Sequence, residues 1–96
     1  MEKRKVIWTK TALKAYSDLL AWYMFNKGPQ FVDTIIDNVQ ETVGLISLSP
    51  SIGVRVGESK NKTYRSILTH PKTRIVYWYD EQSVHIVRLV SVMMNN

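Results

Sequence analysis

Arg65 and Arg74, in the segments YRSIL and TRIVY, are two strand arginines that could form a phosphate clamp. A guanidinium stays charged and offers paired donors to an anion. The plainer reading of each is a solvent-side strand residue that pairs with a nearby acid such as Asp80 or Glu81. Lys60 and Lys62, in GESKNK, extend the same cationic stretch and either contact a phosphate or target, or serve as solubilising charge. Trp78, flanked by Tyr77 and Tyr79, offers a ring on which a nucleobase could stack. Core packing is the competing account, because consecutive residues of a strand point to opposite faces and helices cover one of them.

The chain has no cysteine, so thiol nucleophiles, disulfides and cysteine zinc sites are excluded, and a reducing cytoplasm suits it. No cofactor and no metal are implied. The start, MEKRKVIWTK, has no long apolar core behind it, and no apolar run approaches the roughly 20 residues that cross a bilayer. The expectation is a protein neither exported nor embedded. A formal charge of +5 favours polyanions or an acidic protein as partner. The charge is segregated: Lys3 to Lys14 and Arg55 to Arg74 are rich in bases, whereas Pro29 to Pro50 has three acids and no Lys or Arg.

The elements that must carry these residues fit one domain over residues 1–96, since so short a chain cannot enclose two cores. Lys5 to Trp8 is β-prone. A helix follows, capped by Thr9 or Thr11, with Ala12, Tyr16, Leu19 and Tyr23 on one face and Leu13 and Leu20 broadening it. Asn26 to Pro29 ends it. From Pro29 to about Leu48, Val32, Ile35, Ile36, Val39, Val43 and Ile46 recur at helical spacing, opposite a solvated stripe of Asp33, Asp37 and Glu41. Gly44 predicts close packing or early fraying there.

Ser49 to Gly53 reads as a turn and Gly57 to Lys62 as a polar loop. Three strands follow as a meander: Thr63 to Thr69, Arg74 to Tyr79 and Ser83 to Val92. The expected fold class is α+β, ordered β-α-α-β-β-β, with two helices on one face of a mostly antiparallel four-stranded sheet. Strict alternation places Arg88 with Val84, Ile86, Val90 and Val92, where a buried guanidinium would need a partner. Met93 and Met94 suit adaptable protein contacts, with a frayed tail as the default.

Trp8-Thr9 before Ala12, Asp18-Leu19, Leu45 before Pro50 and Gly53, Tyr64-Arg65, and Arg74-Ile75-Val76-Tyr77 together resemble the spaced pattern of the RelE/ParE toxin superfamily. The match runs from about Val6 to Val92, and the order of the motifs carries it. The resemblance implies a β, two-helix, three-strand fold and a toxin of the plasmid-stabilisation kind, neutralised by a cognate antitoxin whose C-terminal segment wraps it. RelE-like members cleave messenger RNA, usually in the ribosome, and ParE-like members inhibit DNA gyrase.

By the same resemblance Arg74 falls on the arginine that RelE-like nucleases use at the scissile phosphate, and Arg65 on a basic position of that groove. Metal-free RNA cleavage also needs a base and an acid. Nuclease members supply Arg, His or Tyr after the last strand and a final tyrosine beyond it. Here that strand leads into Ser91, Val92, Met93, Met94, Asn95 and Asn96, none of which transfers a proton at neutral pH. His70 precedes Pro71 in a turn, and His85 lies upstream of the family position. The departure favours a ParE-like toxin without catalysis. The alternatives are a RelE-like ribosome-dependent endoribonuclease and a degenerate homologue that binds antitoxin without toxicity.

Overall fold

In a computed structural model, which describes residues 3–91, the chain runs β1 (Lys5–Trp8), α1 (Lys10–Lys27), α2 (Pro29–Leu48), a 3-10 turn (Pro50–Ile52), β2 (Val54–Ser59), β3 (Lys62–Thr69), β4 (Thr73–Tyr79) and β5 (Ser83–Ser91). The strands form one sheet in the order β1-β5-β4-β3-β2. Neighbours are antiparallel except β1 and β5, which are parallel because both helices lie between β1 and the meander. The α+β class and the helix pair on the sheet stand as expected. The sheet, however, has five strands rather than four.

The additional strand is β2, and it takes up part of the expected polar loop. Its residues, VRVGES, are all exposed. An edge strand buries no face, so it need not carry an apolar pattern. A register shift between Arg55 and Gly57 bulges it against β3. Only Lys60 and Asn61 remain as connection, at φ 52° and 65°, the positive values that a two-residue type I′ hairpin requires.

Thr9 caps α1, its Oγ1 accepting from the Ala12 N–H at 3.1 Å. Gly28 separates the helices at φ 95°, a conformation costly for other residues. Its N–H closes α1 on Tyr23 and Met24 carbonyls, and Pro29 opens α2. Ala12, Leu19 and Tyr23 of α1 and Val32, Ile35, Val39 and Ile46 of α2 are buried against Ile75, Tyr77, Val84, Ile86 and Leu89 of the sheet. Leu13, read as part of the buried stripe, is instead 51% exposed. Gly44 neither frays the helix, which continues to Leu48, nor packs closely: a Cβ there would meet nothing within 4 Å. Asp33, Asp37 and Glu41 are exposed as read. Val92, Met93 and Met94 lie outside the described residues.

Candidate functional site

Arg65 and Arg74 lie on opposite faces of the sheet. Residues directly opposite across a strand pair share a face, and neighbours along a strand alternate. Arg65 faces buried Tyr77, on the side the helices cover, whereas Arg74 faces exposed Leu68 on the uncovered side. The two guanidiniums therefore do not converge on one phosphate.

On the covered side Arg65 is tied into the corner between the 3-10 turn and β2. Its Nη1 donates to the Gly53 carbonyl at 2.8 Å and to the Ser51 carbonyl at 3.3 Å. Tyr77 serves the same corner: its hydroxyl donates to the Pro50 carbonyl at 2.6 Å and accepts from the Gly53 N–H at 2.9 Å. Burial raises the Tyr77 pKa, opposed by that Gly53 hydrogen bond and by the Arg65 charge. Gly53 has no room for a side chain, since a Cβ would collide with the Tyr77 hydroxyl and stand 3.0 Å from the Ser66 carbonyl oxygen.

On the uncovered side Arg74 has a companion. β5 pairs Val76 with Arg88 but Tyr77 with Ile86, so Val87 forms a bulge that shifts the alternation by one residue. Val84 and Ile86 are buried before it, Leu89 and Ser91 after it, and Arg88 is exposed beside Arg74. Alternation alone misplaced Arg88. The available signal was that an unbroken period also sends Leu89 to solvent, and one extra residue at Val87 corrects both. Thr9 secures the bulge, its N–H donating to the Ile86 carbonyl at 3.0 Å and its Oγ1 to the Val87 carbonyl at 3.4 Å.

Arg74 Nη1 donates to Ser66 Oγ at 3.2 Å. Among the described residues the ion pairs are Lys14 with Asp18 and Arg55 with Glu58, and Asp80 lies 3.4 Å from His85 Nε2, so neither Arg74 nor Arg88 has an acid partner. Trp78 shares their face. Its ring stacks on His85 at 3.9 Å and 5°, and Lys62 Nζ lies 4.7 Å from the ring centroid. Tyr77 is core, and half-buried Tyr79 packs against it with the Arg4 guanidinium 5.4 Å from its ring, so packing accounts for two of the three aromatics.

Lys62 and Arg65 line a second hollow, about 640 Å³, at the strand ends beside Arg55 and Asp80. Lys60 projects from the hairpin tip, exposed. Asp80 closes the β4–β5 turn, accepting from the Gln82 and Ser83 N–H groups at 2.9 and 2.8 Å. These bonds, with a smaller contribution from His85, hold its carboxyl below the usual range. His70 is exposed in its turn.

A third feature lies at the opposite edge. β1 gives alternate amides to β5, and the Arg4 N–H is closed by the Ser47 carbonyl at 3.0 Å, which leaves the outward amides of Val6 and Trp8 open among the described residues. Beside this edge is a cleft of about 440 Å³ walled by Trp8, Leu13, Tyr16 and Val43, with Lys3 and Arg4 at its rim. No helix of the described residues is long and apolar enough to cross a membrane.

Among the described residues, fold and surface define a small basic α+β domain with a cationic sheet face that no helix covers and an open strand edge. The family model described as ParE toxin of type II toxin-antitoxin system, parDE, matches residues 6–95, and the chain belongs to that family. The fold is similar to a chain of the solved chromosomal ParDE TA system from P. aeruginosa, with a TM-score of 0.75 at 16% identity over 94% of this chain and 97% of that one. Comparison with curated proteins finds no match.

Proposed function

We propose that this type II toxin acts in the ParE manner: it inhibits an essential cytoplasmic target such as DNA gyrase by binding, without RNA chemistry of its own, and a cognate antitoxin neutralises it. The observation that carries the reading is the commitment of Arg65. A nuclease site built on Arg65 and Arg74 needs both cations at one phosphate, whereas the β3–β4 register puts them on opposite faces and Arg65 holds two backbone carbonyls.

The antitoxin contact is assigned to the β1 edge. An extended segment can add to the open amides of Val6 and Trp8, place apolar side chains in the adjoining cleft, and set acids against Lys3 and Arg4. Lys60 and Lys62, on the hairpin at the other edge, remain available to the target.

Induced expression of the chain alone, with growth, plasmid supercoiling and messenger RNA 5′ ends followed together, tests the proposal. Growth arrest with altered supercoiling and intact messages is the expected result. New codon-phased 5′ ends would support the ribosome-dependent nuclease instead, and unimpeded growth would remove the toxic activity.

A further inference from the structure

We propose that the β2 edge is a self-association surface, on which a second copy of this chain pairs its own β2 antiparallel about a two-fold axis between Val56 and Gly57. The inference concerns the edge opposite β1 and does not depend on the toxin reading.

The first support is a self-complementary pattern of charge. β2 ends the sheet order with β3 on one side, and among the described residues no strand pairs with its other side. Its sequence, VRVGES, carries one base, Arg55, and one acid, Glu58, equally far on either side of the Val56–Gly57 bond. The bulge turns both onto one face of the sheet, since Arg55 lies opposite Arg65 and Glu58 opposite Thr63, two residues along β3. A two-fold axis between Val56 and Gly57 sets Arg55 of each copy opposite Glu58 of the other. Opposite charges facing across antiparallel strands are favourable, whereas a parallel partner in register would set like against like. The ion pair that Arg55 and Glu58 form within the strand leaves both side chains more than half exposed, so each can also reach the second copy.

The second support is shape and apolar surface. A bulge commonly blunts an edge, because it puts the strand out of step with a regular partner. Here the register shift falls between Arg55 and Gly57, at the axis itself, so two copies carry the same irregularity at the same place and stay in step. Gly57 has nothing within 4 Å of the position a Cβ would take, which leaves room for the Val56 side chain of the second copy. Val54 and Val56 are both exposed in the single chain and gain cover from the pairing. An edge of six residues is about 20 Å long, and contact along it falls short of the roughly 1,200 Å² of a stable interface, so the association is weak and reversible. Two five-stranded sheets join into one, with both β1 edges at its outer ends.

Sedimentation velocity of the purified chain tests this, with a reversible shift from monomer to dimer expected between about 1 and about 500 µM. Arg55→Glu and Glu58→Arg each set like charges opposite one another at two symmetric places and should weaken association at least about tenfold. An equimolar mixture of the two variants should associate within about threefold of the wild type, because every facing pair is again of opposite sign. The doubly changed chain, Arg55→Glu with Glu58→Arg, should do the same. Leu45→Gln, which removes an exposed apolar side chain on α2, should change association less than about twofold. Far-UV circular dichroism confirms that each variant is folded. A chain that stays monomeric at about 500 µM would overturn the proposal. So would single charge variants that associate like the wild type, a mixture no better than its components, or an equal loss in Leu45→Gln. A monomeric chain that binds its cognate antitoxin less tightly after Arg55→Glu would overturn it in favour of the antitoxin on this edge.

Discussion

The two faces of the sheet treat their arginines differently. On the covered face Arg65 Nη1 donates to the Gly53 and Ser51 carbonyls while Tyr77 bridges Pro50 and Gly53, so these groups fix a chain corner. On the open face Arg74 meets one hydroxyl, and Arg88 stands beside it without an acid partner among the described residues. Two cations that look alike in sequence thus divide between a chain corner and the open face. Face, more than charge, decides what each one meets.

If the covered face is architectural, damage there should cost stability. Tyr77→Phe leaves the Pro50 carbonyl and Gly53 N–H without their partner and should destabilise by about 2–4 kcal/mol in urea unfolding. Gly53→Ala forces a methyl group against Tyr77 and the Ser66 carbonyl and should cost about 1–3 kcal/mol by the same measurement. A loss under about 0.5 kcal/mol in both would mean that the corner is not a structural joint.

Thr9 joins the two regions, because it caps α1 and holds the bulge that exposes Arg88. Thr9→Val should cost about 1 kcal/mol, and Thr9→Ser should recover most of it. On the open face Arg74→Gln and Arg88→Gln should each shift stability by less than about 0.5 kcal/mol. A large loss from either would place that arginine with Arg65 as a structural group and dissolve the contrast.

The smallest effect concerns pH. Asp80 has a folded pKa below its unfolded value, through the Gln82 and Ser83 amides first and His85 after them. Its contribution is therefore complete at neutral pH and declines as pH falls from the unfolded carboxylate range through the depressed folded value. Asp80→Asn should flatten the acid limb of the stability profile by lowering stability at neutral pH while leaving it unchanged at low pH. An unchanged acid limb would show that the turn does not depend on that charge.

Much of this arrangement could be read from the sequence where one face of an element is buried. α2 was legible because Val32, Ile35, Val39 and Ile46 must all meet the sheet, and β4 because TRIVYWY is too apolar to lie in solvent. β2 was hidden for the converse reason: an edge strand with both sides wet obeys no period. Arg65 and Arg74 could be picked out as cations, yet their faces follow from the strand register. Arg65 acts on backbone carbonyls, which leave no trace in residue types. Arg88 was misplaced because a bulge changes the period without an obvious marker such as glycine or proline.

Inhibition without RNA chemistry is tested most directly by a supercoiling reaction with purified gyrase and the purified chain, run beside a ribosome-bound message under the same conditions. Inhibited supercoiling, reversed by the cognate antitoxin, with the message intact, is the expected result. Unimpaired gyrase together with messenger RNA cleavage that Arg74→Ala abolishes would contradict it.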